Sequence, residues 1–337
     1  MDKKIFVTGG TGFVGSHLLY RLASERRDVL ALKRATSDTG YIREVFQTYG
    51  ANVQELFDRI EWVEGDILDR ALLLEVTQNV DIIYHSAAMV SFDPVYKRKM
   101  LETNVQGTAN VVDAALENAV KEMIHVSSVA ALDPPKGYRL IDEEQLGNFP
   151  VRYSAYAESK FKSELEVWRG VEEGLKAMVV NPSIIIGPAA PLEGPGGIFK
   201  AVRKGMRYYP RGVTGFVDVR DVCRAMMALE DQNLFNERYI VSEGNHSYRY
   251  IFQTIARAFN SRMPDRRLSP AATAAAWRLE WLRSGIMRSR PRITRELHES
   301  AHRKVYYSNK KIADALDFHF IPVEDSICDT VSHFDEQ

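Results

Sequence analysis

Apolar residues gather into short runs through the first two thirds of the chain: KIFVTG (4–9), VLALKR (29–34), IEWVEGD (60–66), DIIYH (81–85), EMIHVSS (122–128) and AMVVNPS (177–183). The runs are rich in Val and Ile and apolar at successive positions. Both faces of each are therefore buried, as in parallel strands covered by helices on either side. Between them the apolar positions take a helical spacing over 13–25, 70–78, 99–118 and 154–173. Gly174, suited to the left-handed turn after a helix, closes the last of these. Alternating strands and helices predict an α/β fold with a doubly wound parallel sheet. After residue 187 the pattern changes. PAAPLEGPGG (188–197) reads as a loop, RYIVSEG (238–244) as one more strand, and the residues from about 245 as mostly helical. The expectation is a larger unit over 1–187, to which 214–242 returns, and a smaller, mostly helical unit over 188–213 and 243–337.

A length of 337 residues supports that division, because a single core usually stops growing near this size. Lys plus Arg number 44 against 45 for Asp plus Glu, a balance that gives nucleic acid no purchase. Cys223 and Cys328 have no metal-ligand spacing and read as reduced, structural thiols. The apolar stretch AMVVNPSIIIGPAAP is broken by Asn181, Pro182 and Pro188 and is too short to span a bilayer. A strand beginning by about residue 4 leaves no room for a signal peptide. The expected location is the cytoplasm.

The first run leads into TGGTGFVGSHL, where Gly9, Gly12 and Gly15 have the spacing G-x-x-G-x-x-G between a strand and a helix. A side chain at Gly9 or Gly12 would hold a pyrophosphate off the backbone, and Gly15 lets the helix pack close to the sheet. With Thr11, Phe13 and Val14, the turn offers phosphates the N–H groups and partial positive charge of a helix N-terminus. The larger unit is therefore expected to bind a dinucleotide, and the smaller one its substrate. Folds that prefer NAD usually end the second strand with an acid that binds the ribose 2′-hydroxyl. Here LALKRATSD places Lys33 and Arg34 there. A guanidinium can grip a 2′-phosphate with paired hydrogen bonds. NADP(H) is thus expected ahead of NAD(H), with Arg34 the main contact and Thr36 and Ser37 adding hydroxyls. In the opposite arrangement Arg34 points to solvent and Asp38 takes the ribose.

YSAYAESKFKSE places Tyr156 and Lys160 one helical turn apart on one face. An ammonium beside a tyrosine favours the phenolate and brings its pKa towards the working range. Tyr156 could then pass a proton to a carbonyl oxygen. Ser128 closes the fifth run at the sheet edge where open α/β folds bind ligands, and its hydroxyl could meet the same oxygen. Ser127 competes, but alternation points only one of the two into the site. Asn104 lies inside a long helix, where asparagine is unfavourable unless its side chain has a partner.

These residues together resemble the extended short-chain dehydrogenase/reductase (NAD-dependent epimerase/dehydratase) family. The resemblance rests on the glycine turn, GDILD with Asp66, HSAAM with Ala87 and Ala88, NVQGT with Asn104, VSS with Ser128, Tyr156 with Lys160, NPSIIIGP and FVDVRDV (216–222). It implies that Asp66 and Ile67 flank the adenine and that Ala87 and Ala88 line the cofactor. Lys160 also holds the nicotinamide ribose, Pro182 and Ser183 sit near the nicotinamide, and Asn104 orders a water in a proton relay. It further implies a homodimer through helices 99–118 and 154–173. Ser128 is followed by VAALD, without the Thr-Asp-Glu of the family's dehydratases or the Val-Tyr-Gly of many epimerases. LKR, VSFDP and PRGVTGFVDVRDV look like the dihydroflavonol-reductase-like branch, with the 3β-hydroxysteroid-dehydrogenase branch close by.

The leading expectation is an NADP(H)-dependent reductase of a ketone or aldehyde on a small apolar or aromatic substrate. Its general acid is Tyr156, aided by Ser128, Lys160 and Asn104. The alternative is a sugar-nucleotide epimerase or dehydratase with tightly held NAD; a third reading is a dinucleotide sensor without catalysis. Met89, Ser91, Phe92, Tyr208 and Tyr209 are candidates for the substrate pocket. LHESAH (297–302) matches H-E-x-x-H, but its basic surroundings disfavour a metal ion. It reads as an exposed helix turn with no metal. AAWRLEWLRSGIMRSR (275–290) reads as a helix packed within the small unit, ahead of a substrate lid or a membrane-surface helix.

Overall fold

The apolar runs form strands β1 (Ile5–Thr8), β2 (Val29–Lys33), β3 (Ile60–Glu64), β4 (Ile82–His85) and β5 (Glu122–Val126). The structure, a computed structural model, describes residues 3–25, 27–50, 52–91, 93–132, 140–144, 154–191, 196–287 and 295–334. Beyond the short β6 (Leu140–Ile141) come β7 (Lys176–Pro182), β8 (Ile184–Ile186), β9 (Tyr208–Tyr209), β10 (Val213–Asp218), β11 (Arg238–Val241), β12 (Gly244–Ser247), β13 (Arg266–Arg267) and β14 (Tyr306–Tyr307). Seven strands lie side by side in the order β11-β7-β5-β4-β1-β2-β3, and each neighbouring pair is parallel. The chain reverses its direction of travel between β1 and β4. Folds of this kind open their ligand crevice at that point, beyond the C-terminal strand ends.

The helices of the large unit are α1 (Phe13–Ser24), α2 (Gly40–Gln47), α3 (Val53–Asp58), α4 (Arg70–Val76), α5 (Lys97–Leu101), α6 (Gly107–Glu117) and α7 (Ala155–Glu172). Those beyond are α8 (Gly196–Arg203), α9 (Val219–Asp231), α10 (Tyr248–Ala258), α11 (Pro270–Met287), α12 (Arg295–His302), α13 (Lys310–Leu316) and α14 (Val323–Phe334). Alternate strand residues serve opposite faces. Ile5, Val7, Tyr84 and Ile124 pack with Leu18 and Leu22 of α1 and Val222 and Met226 of α9. Phe6, Ile83, Met123 and Val179 pack with Leu73 of α4, Val111 of α6 and Val167 of α7.

Three expectations change. The helix foreseen over 99–118 is α5 and α6 joined by a π-helical turn, Glu102–Gln106. The link between β2 and β3, left blank by the sequence, holds α2 and α3; α2 buries Ile42, Val45 and Phe46. The return to the large sheet is made by α9 and β11, not by all of 214–242. Strand β10 instead lies between β8 and β12 in a separate three-stranded sheet, and its Phe216 joins Phe199, Ile251, Phe252 and Ile327 in a third core.

In the small unit, Nδ1 of His298 and Nε2 of His302 lie 2.7 and 2.9 Å from the Thr273 hydroxyl of α11. HESAH is thus a half-buried contact between α11 and α12 rather than a free turn. Among the described residues no group of three metal-binding side chains stands together. Nor is any helix there long and apolar enough to cross a membrane. Residues 288–290 of the basic stretch and Phe92 lie outside the described residues.

Candidate active site

The glycine turn closes through the Gly12 N–H, which donates to the Gly9 carbonyl at 2.9 Å. Gly9 has φ +72°, and a Cβ there would stand 2.5 Å from the Ala87 nitrogen. A Cβ on Gly15 would meet the Gly9 carbonyl oxygen at 2.1 Å. Strand end, turn and helix are therefore in backbone contact. No side chain caps the N-terminus of α1, so its first N–H groups face the crevice between β1 and β4. Burial pushes the Cys223 thiol well up, and that thiol sits 3.7 Å from the Val14 carbonyl, an inert packing role.

An open cavity of about 490 Å³ runs from this turn along Thr11, Gly12, Phe13, Arg34, Thr36, Ser37 and Asp38, beneath Ala189 and Ala190. Arg34 is exposed at its rim. The Arg34 N–H donates to the Ser37 hydroxyl at 3.1 Å, and the Ser37 N–H to the Arg34 carbonyl at 2.9 Å. Asp38 accepts the Gly40 N–H at 2.8 Å, where α2 begins. Further along, Asp66 accepts the Leu68 N–H at 3.0 Å, and the buried Ile67 is held by Asn110 Nδ2 on its carbonyl, also at 3.0 Å. Ala87 and Ala88 follow β4 after Ser86, and the Ala87 backbone stands against Gly9 of the turn. Pro182 and Ser183 are buried at the end of β7. Glycine is required at 215, where a Cβ would come 2.8 Å from Ser183 Cβ.

At the other side of the crevice Ser154 caps α7 by accepting the Ala157 N–H at 3.0 Å. The cap fixes the turn that presents Tyr156 and, four residues on, the buried Lys160. Ser128 lies two residues past β5, and its hydroxyl acts on the Tyr156 phenol as a hydrogen-bonding neighbour that holds its pKa down. Ser127 is buried, and among the described residues its hydroxyl has no partner. Of the two serines, Ser128 is the one paired with Tyr156. Burial raises the Tyr156 phenol above its usual range, and the Ser128 hydrogen bond only partly offsets this. The direction is opposite to the expected one because burial outweighs the other influences on the phenol; the Lys160 Nζ donates to the Val126 carbonyl at 2.8 Å. Burial also lowers the Lys160 amine to about 8, against the raising effect of Glu164.

Asn104 sits in the π-helical turn. Its Oδ1 accepts the Met89 N–H at 2.7 Å, and its Nδ2 donates to the Met89 carbonyl and the Ser159 hydroxyl, both at 2.9 Å. Its carbonyl takes the Thr108 and Ser163 hydroxyls at 2.6 and 2.7 Å. These polar atoms clamp the loop after β4, which carries Met89 and Ser91. Tyr208 is exposed and Tyr209 buried in the third core, so the two do not form one pocket wall. Sequence reasoning missed a polar stitch across the sheet: His85 Nδ1 lies 2.6 Å from the Thr8 hydroxyl and its Nε2 2.9 Å from that of Thr108. Polar His85, His125 and Asn181 inside apolar strands were the available signal.

A glycine-turn dinucleotide cradle beside a Ser–Tyr–Lys cluster, on a parallel sheet of this order, defines a pyridine-nucleotide oxidoreductase. The profile of the NAD dependent epimerase/dehydratase family matches residues 5–241, and the chain belongs to that family. It is 27% identical over 336 residues to a putative dihydroflavonol 4-reductase of Synechocystis, covering 98% of this chain and 94% of that one. Over 255 residues it is 29% identical to cinnamoyl-CoA reductase 1 of Petunia hybrida, covering 71% and 72%. Among solved structures, that of gox2253 superposes with a TM-score of 0.81 at 28% identity, covering 99% of this chain and 98% of that one. The chain thus falls on the dihydroflavonol-reductase-like side of the family.

Proposed function

We propose that the chain is an NADP(H)-dependent reductase of a ketone or aldehyde carried on a small apolar or aromatic molecule. The observation that carries this is the pairing of the Ser128 hydroxyl with the Tyr156 phenol, with the buried Lys160 one helical turn further along α7. When bound, the cofactor supplies hydride to the carbonyl carbon. The chain supplies the proton: Tyr156, kept protonated by burial, donates it to the carbonyl oxygen. Ser128 holds that oxygen by a hydrogen bond. Lys160, as an ammonium, stabilises the phenolate left behind. Asn104 acts through Met89, holding the loop that borders the substrate. Relatives described as dihydroflavonol and cinnamoyl-CoA reductases support a reductase ahead of an epimerase.

The choice of NADP(H) rests on Arg34. Among the described residues no carboxylate pairs with its guanidinium, and Ser37 stands beside it on the same turn. Asp38, the acid that a ribose hydroxyl would need, is turned to the start of α2. Glu44 also lines the cavity. Calorimetric titration with NADPH and NADH tests this. Arg34→Ala should weaken NADPH binding roughly tenfold to a hundredfold, the worth of a charge-assisted hydrogen bond, and leave NADH nearly unchanged. Tighter binding of NADH by the unaltered protein would overturn the assignment. Tyr156→Phe should cut reduction of an aldehyde panel by roughly 10²–10⁴-fold with NADPH affinity kept.

A further inference from the structure

Two buried polar residues behind the catalytic cluster have no part in the scheme above. Asn181, near the end of β7, is fully buried. Its Nδ2 donates to Glu164 Oε1 at 2.6 Å and to the Ser128 carbonyl at 3.1 Å. Glu164 is 1% exposed and lies one turn beyond Lys160 on α7. Arg238 of β11 approaches its Oε2 to 3.3 Å while lying over the Trp168 ring; among the described residues that oxygen accepts no hydrogen bond. A carboxylate this deep and incompletely bonded is costly, so it is retained where a neighbour depends on its charge.

That neighbour is Lys160. The titratable groups around the lysine are Tyr156 and Glu164 on its own helix, His85 on β4 and His125 on β5, with Arg238 behind Glu164. Burial holds His85 down to about 3 and His125 well below its ordinary range, so both rings are neutral, and the two stack at 5.1 Å. Among the described groups around the lysine, only Glu164 brings a negative charge. We propose that Glu164 is a positioning residue: its carboxylate keeps the desolvated Lys160 an ammonium, and Asn181 ties that carboxylate to the turn carrying Ser128. The inference rests on Lys160 belonging to the site.

The test reads the lysine directly. Protein labelled with ¹⁵N at lysine Nζ is titrated by NMR, with Lys160→Arg assigning the signal. Glu164→Gln keeps an oxygen for Asn181 and deletes only the charge. The Lys160 midpoint, about 8 in the unaltered chain, should fall by about one pH unit. The alkaline limb of NADPH-dependent cinnamaldehyde reduction should move with it, and Glu164→Asp should restore most of both. Because the Gln variant leaves Arg238 unpaired, the titration is repeated with Arg238→Met added. An unchanged midpoint in either folded variant overturns the proposal. So does failure of both to fold, which would make Glu164 a support of the core alone. If the unaltered protein reduces no aldehyde, the reductase reading fails while the titration still decides the role of Glu164.

Discussion

Lys160 shows how a single residue sets the working range. Its amine lies near 8, below the usual lysine value, because burial opposes the charged form. The ammonium is therefore present below about pH 8 and lost as pH rises through it. Tyr156 is raised and stays protonated over the same range. The pH profile of kcat/KM for carbonyl reduction should accordingly be flat near neutrality and fall above about pH 8; a profile still rising at pH 9 would contradict the roles given to both residues. Residues of this kind were readable because the chemistry demands their spacing. Tyr156 and Lys160 had to share a helix face, and Ser128 had to follow a strand. Glu164 and Asn181 were not readable. Each lies on an element whose pattern gives no hint that the two would meet, and only the pairing of β5 with β7 beside α7 brings them together.

At the scale of elements, the turn between β1 and α1 is the least tolerant part of the fold. Gly9 needs a positive φ and backbone contact with Ala87. Gly9→Ala should therefore lower the thermal midpoint and abolish NADPH binding together, as read by melting with and without cofactor. A variant that melts as before and binds NADPH would show that the turn can yield. Element types were legible wherever periodicity was long. The buried strands and α7 stood out, with boundaries good to a residue or two. Short elements were not: α2 and α3 are too brief to establish a period, and their apolar residues were lost between two strands. The π-helical turn is invisible in principle, since it changes the spacing of a helix without changing its composition.

For the whole molecule, buried neutral histidines make the fold sensitive to acid. Burial lowers both His17 and His85 to about 3, while an unfolded histidine titrates near ~6.5. The unfolded chain therefore takes up protons first. Stability is full above about pH 6.5 and should decline steadily as pH falls towards 3. Urea midpoints measured from pH 7.5 to pH 4.5 check this, and His17→Gln should flatten part of the slope. His17 also joins α1 to the Pro188 carbonyl, so the loss begins beside the cofactor cavity. The architecture of the large unit followed from its alternating runs. That of the small unit did not, because β8, β10 and β12 draw a sheet from segments on both sides of α8 and α9, and no local pattern announces such a pairing.

The turn at Glu102–Gln106 carries one residue more than an α-helix would place there. Removing any one of those residues would let the helix relax into regular geometry, but α5 would then swing by about 100° around the axis relative to α6. Asn104 would leave Met89, and the border of the substrate crevice would go with it. A descendant of this gene can exchange the residues flanking Asn104 in the segment more freely than it can change their number. The length of that turn, together with its asparagine, is what inheritance must preserve.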